Sequence, residues 1–194
     1  EQVAAADDGT IAYLAGEGTT STRVVSFQRS GRPASLPMPP QSRAYADPRV
    51  SPDGHSLAVS MRDQDRDICV WSFDRRTFTR LTLDSAVDTS PAWTPDGTRI
   101  IYASRRGEAA PNPYWQTADG IGKPERLIES VDSSQQFSMA PDGKRLVMRV
   151  RSTKTADDTA MLDLGEQPRR LHTLIDTPFN ERNPTVSQDG RWVA

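Results

Sequence analysis

One cysteine, Cys69, stands in 194 residues, so the chain cannot form an internal disulfide and draws no stability from one. Histidine is almost as scarce, with only His55 and His172. A nucleophilic triad needs a base beside a serine or cysteine, and no Gly-x-Ser-x-Gly elbow is present to supply the nucleophile. No apolar run approaches the roughly 18 residues of a membrane-spanning helix. Glu1 to Asp8 has neither the basic start nor the apolar stretch of a secretory signal. Charge of one sign is also lacking. The net charge is −2 and the pI about 5.7, with no basic run, which speaks against nucleic acid as a partner. Hydrophobic residues make up 35% and charged residues 26%, the balance of a soluble globular chain.

What the chain has is a recurring turn. It reads Asp7-Asp8-Gly9, Ser51-Pro52-Asp53-Gly54, Thr94-Pro95-Asp96-Gly97, Ala140-Pro141-Asp142-Gly143 and Ser187-Gln188-Asp189-Gly190. The last aspartate of each set lies at 8, 53, 96, 142 and 189, giving intervals of 45, 43, 46 and 47. Proline presets φ for the first corner, aspartate bonds its own backbone, and glycine accepts positive φ. A short apolar strand follows each turn: Ile11–Leu14, Leu57–Val59, Ile100–Tyr102, Leu146–Met148 and Trp192–Ala194. Two further markers keep the same phase. Leu36, Leu81, Leu127 and Leu171 repeat after the turn, the last three each preceded by arginine. Pro48, Pro91, Phe137 and Pro184 stand five residues before the motif aspartate.

A period near 45 residues with strand content predicts an all-β protein, a β-propeller of four-stranded antiparallel blades. The second period shows the plan best: strands at Ser56–Met61, Asp67–Phe73, Phe78–Leu83 and Thr89–Trp93. In the third, Asp119-Gly120 marks a hairpin. Cut at the turns, a single propeller segment 1–194 divides into blades 8–52, 53–95, 96–141 and 142–188, with 189–194 beginning another. Residues 32–40 form either a long loop or a degenerate strand around Ser35-Leu36. Three expectations follow for the open edges of such an arc. It is a piece of a longer propeller (the favoured one), it closes as a four-blade ring, or two copies complete each other by self-association.

Val50-Ser51-Pro52-Asp53-Gly54, Asp67-Ile68-Cys69-Val70-Trp71, Thr79-Arg80-Leu81-Thr82 and Ser90-Pro91-Ala92-Trp93-Thr94-Pro95-Asp96-Gly97 resemble the repeat of TolB-like, WD-like propellers. The resemblance covers nearly the whole chain. The nearest look is to extracytoplasmic propeller domains of bacterial receptor-like serine/threonine kinases. It implies a non-catalytic binding or sensing module of a larger bacterial receptor or envelope protein, periplasmic or extracytoplasmic. It also implies a protein partner or small ligand on one propeller face. The alternative is the propeller of an enzyme, either a prolyl-oligopeptidase-type peptidase or a metal-dependent lyase.

Asp53, Asp96, Asp142 and Asp189, with His55, are the candidate ligand face at a channel mouth. The local reading is that each aspartate caps its own turn. Asp63, Asp65, Asp67 and Asp74 mimic part of a calcium loop, but Ile68 stands where that loop needs glycine, so a solvated hairpin is expected. The pattern supplies no catalytic set, metal set or cofactor motif. Trp71, Trp93 and Trp115 are read as core, Cys69 as a buried thiol, and Arg75-Arg76, Arg105-Arg106 and Arg169-Arg170 as solvated pairs. Segments 32–47, 105–113, 152–158 and 173–183 are the loops expected to vary and to carry contacts.

Overall fold

The computed structural model describes residues 3–5, 10–15, 22–28, 30, 32, 37–39, 43–62, 66–107, 110–130, 132–151, 156–175 and 177–194. Among these the regular elements are all strands. The turn at Asp7-Asp8-Gly9, the marker Leu36, the segment Ser35-Leu36, and Asp63 and Asp65 lie outside the described residues.

Four antiparallel sheets follow one another along the chain. The first holds β1 (Val3–Ala5), β2 (Thr10–Ala15) and β3 (Arg23–Gln28). The second holds β4 (Tyr45–Val50), β5 (Ser56–Met61), β6 (Asp67–Ser72) and β7 (Thr77–Arg80). The third holds β8 (Asp88–Trp93), β9 (Arg99–Ser104), β10 (Asn112–Thr117) and β11 (Glu125–Arg126). The fourth holds β12 (Ser133–Met139), β13 (Arg145–Arg151), β14 (Asp157–Asp163) and β15 (Leu171–Ile175). A bridge between Val186 and Val193 begins a further unit. Each sheet is a meander, and the sheets pack in sequence order as the blades of a propeller, with β1, β4, β8 and β12 innermost.

Pairing corrects the turn-to-turn division in one respect. Thr89–Trp93, expected as the last strand of the second blade, pairs with β9 through Trp93↔Ile100 and Ala92↔Ile101. It therefore opens the third blade. The Pro-Asp-Gly turn joins two neighbouring strands of one sheet, because a tight turn can only link adjacent antiparallel strands. The long connection after the third or fourth strand is what crosses between blades.

Three apolar clusters fill the joints. Leu57, Val59 and Trp71 of the second sheet meet Ala12 and Val24 of the first. Ala58, Ile68 and Val70 meet Ile100, Tyr102 and Tyr114 of the third. Ile101 and Ala103 meet Leu146, Met148 and Leu162 of the fourth. Alternate residues of one strand thus face opposite joints. This is why Ser-Leu-Ala-Val-Ser-Met in β5 and Arg-Ile-Ile-Tyr-Ala-Ser in β9 read as unbroken runs rather than as alternation.

The innermost strands are bulged. Register slips between Ala46 and Arg49, between Thr89 and Ala92, and between Gln135 and Phe137. The extra residue takes a positive φ: Asp47 at 50°, Ser90 at 57° and Gln136 at 54°, with Asn183 at 56° in the next repeat. The marker proline follows it in three cases, where a residue without an N–H costs the ladder nothing.

A second repeated position is buried and polar. Asp67, Asn112 and Asp157 each open the third strand of a four-stranded sheet. Each ties down the connection to the next blade. Asp67 accepts from the Thr82 hydroxyl at 3.2 Å and pairs with Arg80 at 2.8 Å. Asn112 accepts from Ser130 N at 2.7 Å. Asp157 pairs with Arg149, Arg151 and Arg182. Burial opposes its charge, yet the Arg151 hydrogen bonds and the three guanidinium charges hold its carboxyl below the ordinary value. Asp67 is therefore a buried anchor rather than part of a solvated hairpin.

Cys69 and Trp71 are buried as expected, and Trp93 and Trp115 pack partly buried. Two of the arginines expected in solvent are not there. Arg106 pairs with Asp84 and lies over Tyr114, with its guanidinium carbon 5.5 Å from the ring centre. Arg169 reaches back a whole repeat to donate to the Leu127 carbonyl at 3.2 Å and covers Trp115.

The position four residues after the motif aspartate is fully buried at Leu57, Ile100 and Leu146 but 38% exposed at Val193. Leu146→Ala is therefore expected to cost about 2–5 kcal/mol in urea unfolding, and Val193→Ala less than about 1 kcal/mol.

Candidate functional site

The bulged inner strands wall a central channel. Its narrower part, of about 270 Å³, is lined by the four left-handed residues Asp47, Ser90, Gln136 and Asn183 together with Phe137 and β1. Its wider part, of about 600 Å³, is lined by Pro52, Pro95 and Pro141 of the repeated turns and by Trp93, Phe137 and Met139. Arg49, Val50, Phe137 and Ser138 belong to both, so the two parts are continuous.

The narrow part is held by hydrogen bonds within and between blades. The Ser60 hydroxyl donates to Asp47 Oδ2 at 3.2 Å and accepts from Ser90 N at 3.2 Å. Asn183 N donates to Gln136 Oε1 at 3.1 Å, and Val186 N donates to the Ser138 hydroxyl at 3.0 Å. The Trp93 indole N–H reaches the Arg49 carbonyl at 3.0 Å. A bulge turns backbone groups out of the sheet ladder, and neighbouring blades supply their partners.

At the wide mouth the motif aspartates adjoin the wall, since each follows directly on a lining residue: Pro52, Pro95, Pro141 or Gln188. Their carboxylates are bound within their own turns. Asp53 Oδ1 accepts from the Ser51 hydroxyl at 2.5 Å and from His55 N at 3.0 Å. Asp96 accepts from Thr94 at 2.6 Å and Thr98 N at 3.1 Å. Asp189 accepts from Ser187 at 2.6 Å and Arg191 N at 3.1 Å. Asp142 has Ala140 where the others have a hydroxyl, and takes Lys144 N at 2.9 Å and Arg145 Nε at 3.0 Å. These bonds hold all four carboxyls below their ordinary value. The Ser51, Thr94 and Ser187 hydroxyls are the largest cause in three turns, and the Lys144 N–H in the fourth.

His55 does not join them. Its Nδ1 lies 3.0 Å from Asp74 Oδ2, in a separate cleft of about 330 Å³ between the β6–β7 hairpin and the Ala118-Asp119 turn. His172 pairs with Glu166 at 3.1 Å on the surface. Among the described residues, no three His, Cys, Asp or Glu side chains come together in a metal-holding group.

Sequence reasoning reached the rim and missed the wall. Asp47, Ser90, Gln136 and Asn183 each lie six residues before the motif aspartate, next to the marker at minus five. All four are polar, and Asp and Asn are types that take a left-handed backbone readily, so a polar residue recurring in this phase was the signal.

The profile of the TolB beta propeller domain matches residues 4–194. An uncharacterized peptidase of Bacillus subtilis (strain 168), YuxL, is 27% identical over 161 residues, 82% of this chain and 22% of that protein. TolB from Acinetobacter baumannii superposes with a TM-score of 0.83 at 24% identity, over all of this chain and 47% of the TolB chain. An oligogalacturonate lyase from Vibrio parahaemolyticus superposes at 0.70 and 14% identity, over 98% of this chain and 60% of that one. The chain thus spans less than two thirds of each of these proteins. The two structural likenesses carry the fold alone.

Ser51 and Thr94 hydroxyls are buried and each serves two partners, the carboxylate and the N–H of Ser56 or Arg99. Ser51→Ala and Thr94→Val are each expected to lower stability by about 1 kcal/mol in chemical denaturation at neutral pH. A carboxyl held low contributes stability above its unfolded-state value and loses it as pH falls through and below about 4. The wild-type protein therefore weakens on that acid limb, by a small amount per turn because these carboxylates face solvent. The limb is expected to be shallower in Ser51→Ala.

Proposed function

The chain belongs to the TolB beta propeller domain family, and from that premise we propose that it is a non-catalytic binding or sensing module of a larger bacterial receptor or envelope protein. Its ligand, a protein segment or a small molecule, docks at the wide mouth of the channel. One observation carries this reading: an open concavity of about 600 Å³ whose wall mixes apolar side chains, Pro52, Pro95, Pro141, Trp93, Phe137 and Met139, with polar ones, Arg49, Ser51, Ser138, Ser187 and Gln188. Concavities that combine apolar walls with placed polar groups are where proteins take ligands. The aspartate turns beside it add a charged, exposed rim and rigid backbone, because every carboxylate is locked into its own turn. Membership of the TolB beta propeller family is the ground on which we propose a periplasmic or extracytoplasmic location. Among the described residues, no helix is long and apolar enough to cross a membrane, which says nothing of a β-barrel.

The match to YuxL supports a second reading, in which the propeller is the companion of a peptidase domain elsewhere in the same protein. A Gly-x-Ser-x-Gly elbow in flanking sequence would favour it over a receptor or envelope protein. The mouth remains the docking face in both readings.

A photoreactive amino acid at Gln188, on the mouth, and another at Lys123, on the exposed β10–β11 hairpin, separate the mouth from the outer edge. Crosslinking in an envelope extract is expected to yield a discrete adduct at 188 and none at 123. Adducts at both positions alike, or at 123 alone, would remove the mouth as the docking face.

A further inference from the structure

Asp88 opens β8 at the joint between the second and third sheets. Its side chain is fully buried, and neither carboxylate oxygen has a hydrogen-bond partner. Two hydroxyls stand close enough to act on it without forming a well-directed hydrogen bond. Thr82 donates to Asp67 at 3.2 Å, and Ser104, directly across the ladder from Asp88, accepts from Arg106 Nε at 3.3 Å and keeps its own proton. Its backbone holds the joint: Asp88 N donates to the Arg66 carbonyl of the preceding blade at 2.8 Å.

The charged and titratable groups around it do not neutralise it. Arg106 is a cation close enough to act on it, and Asp84 already pairs with that guanidinium. On β6, Asp67 is paired with Arg80. Tyr102 of β9 is buried, and burial pushes its hydroxyl above the range in which tyrosine ordinarily ionises. β5 and β12, which also pack on β8, carry no charged side chain, and β4 presents Tyr45 and, at the channel wall, Asp47 and Arg49.

We propose that Asp88 makes the joint between the second and third blades a pH-sensitive latch, closed while the carboxyl is protonated and loosened when it ionises. An ionised carboxylate without partners in a closed joint is costly, and opening lets water reach it. Burial raises its pKa to about 6, Asp84 adds to the rise, and Ser104, Thr82 and Arg106 oppose it. A carboxyl raised in the folded state leaves stability intact below the ordinary carboxylate range. Stability is lost as pH climbs from about 4 to 6 and changes little above. This sign is opposite to that of the four turn aspartates. Because β8 also supplies Ser90, Ala92 and Trp93 to the channel, opening of the joint moves the channel wall.

Carbon-detected NMR titration of the Asp88 carboxyl in the wild-type chain is expected to give a midpoint near 6. A midpoint in the ordinary range around 4 overturns the latch. Amide exchange at Asp88 and Arg105, corrected for intrinsic pH dependence, is expected to show local opening rising about tenfold between pH 5 and 7.5. Asp88→Asn is expected to abolish that rise. Equal rises in the variant and the wild type, or none in the wild type, also overturn it. If Asp88→Asn does not fold, the wild-type titration and exchange decide alone.

Discussion

Burial of both faces of each inner sheet is the constraint on which the rest depends. A single meander of three or four short strands cannot hide its apolar surface from water, and each sheet here has joints to close. Leu57 and Val59 turn one way and Ala58 the other, so β5 serves two joints at once. Radial packing answers that demand with a unit repeated about every 45 residues. The apolar clusters supply most of the joint, because buried area is the dominant favourable term.

Packing twisted sheets around an axis forces their inner strands close together, and the bulges at Asp47, Ser90 and Gln136 belong to that geometry. They bend each strand and turn polar backbone toward the channel, where Ser60, Gln136 and Ser138 satisfy it from neighbouring blades. The channel is therefore polar where the bulges lie and mixed in character where the turn prolines gather. The same joints contain polar anchors of differing quality. Asp157 is surrounded by guanidinium groups and Asp67 has Arg80 and Thr82, whereas Asp88 is buried with neither oxygen bonded.

Much of this was legible in the chain itself. The aspartate turns are local objects, complete within six residues, and each carboxylate bonds where the turn chemistry said it would. Strand β5 matched its expected bounds, Ser56–Met61, because turns punctuate it. Grouping of strands into blades was misread at Thr89–Trp93, since a periodic sequence looks the same whichever point of the period is taken as its start. Arg106 and Arg169 were misplaced because their partners, Asp84 and Leu127, lie across a joint or a whole repeat away.

Sequence by itself determined the repeat, the turn chemistry and the all-β class, because each rests on contacts between residues close in the chain or on a period that needs no coordinates to see. Tertiary structure alone decided which residues line the channel, where His55 sits, and that Asp88 is left without a partner. Those facts depend on groups distant in the chain meeting within a sheet, as His55 meets Asp74, or across the joints, as the channel residues do, and side-chain identity does not encode such a meeting until the sheets have formed and packed.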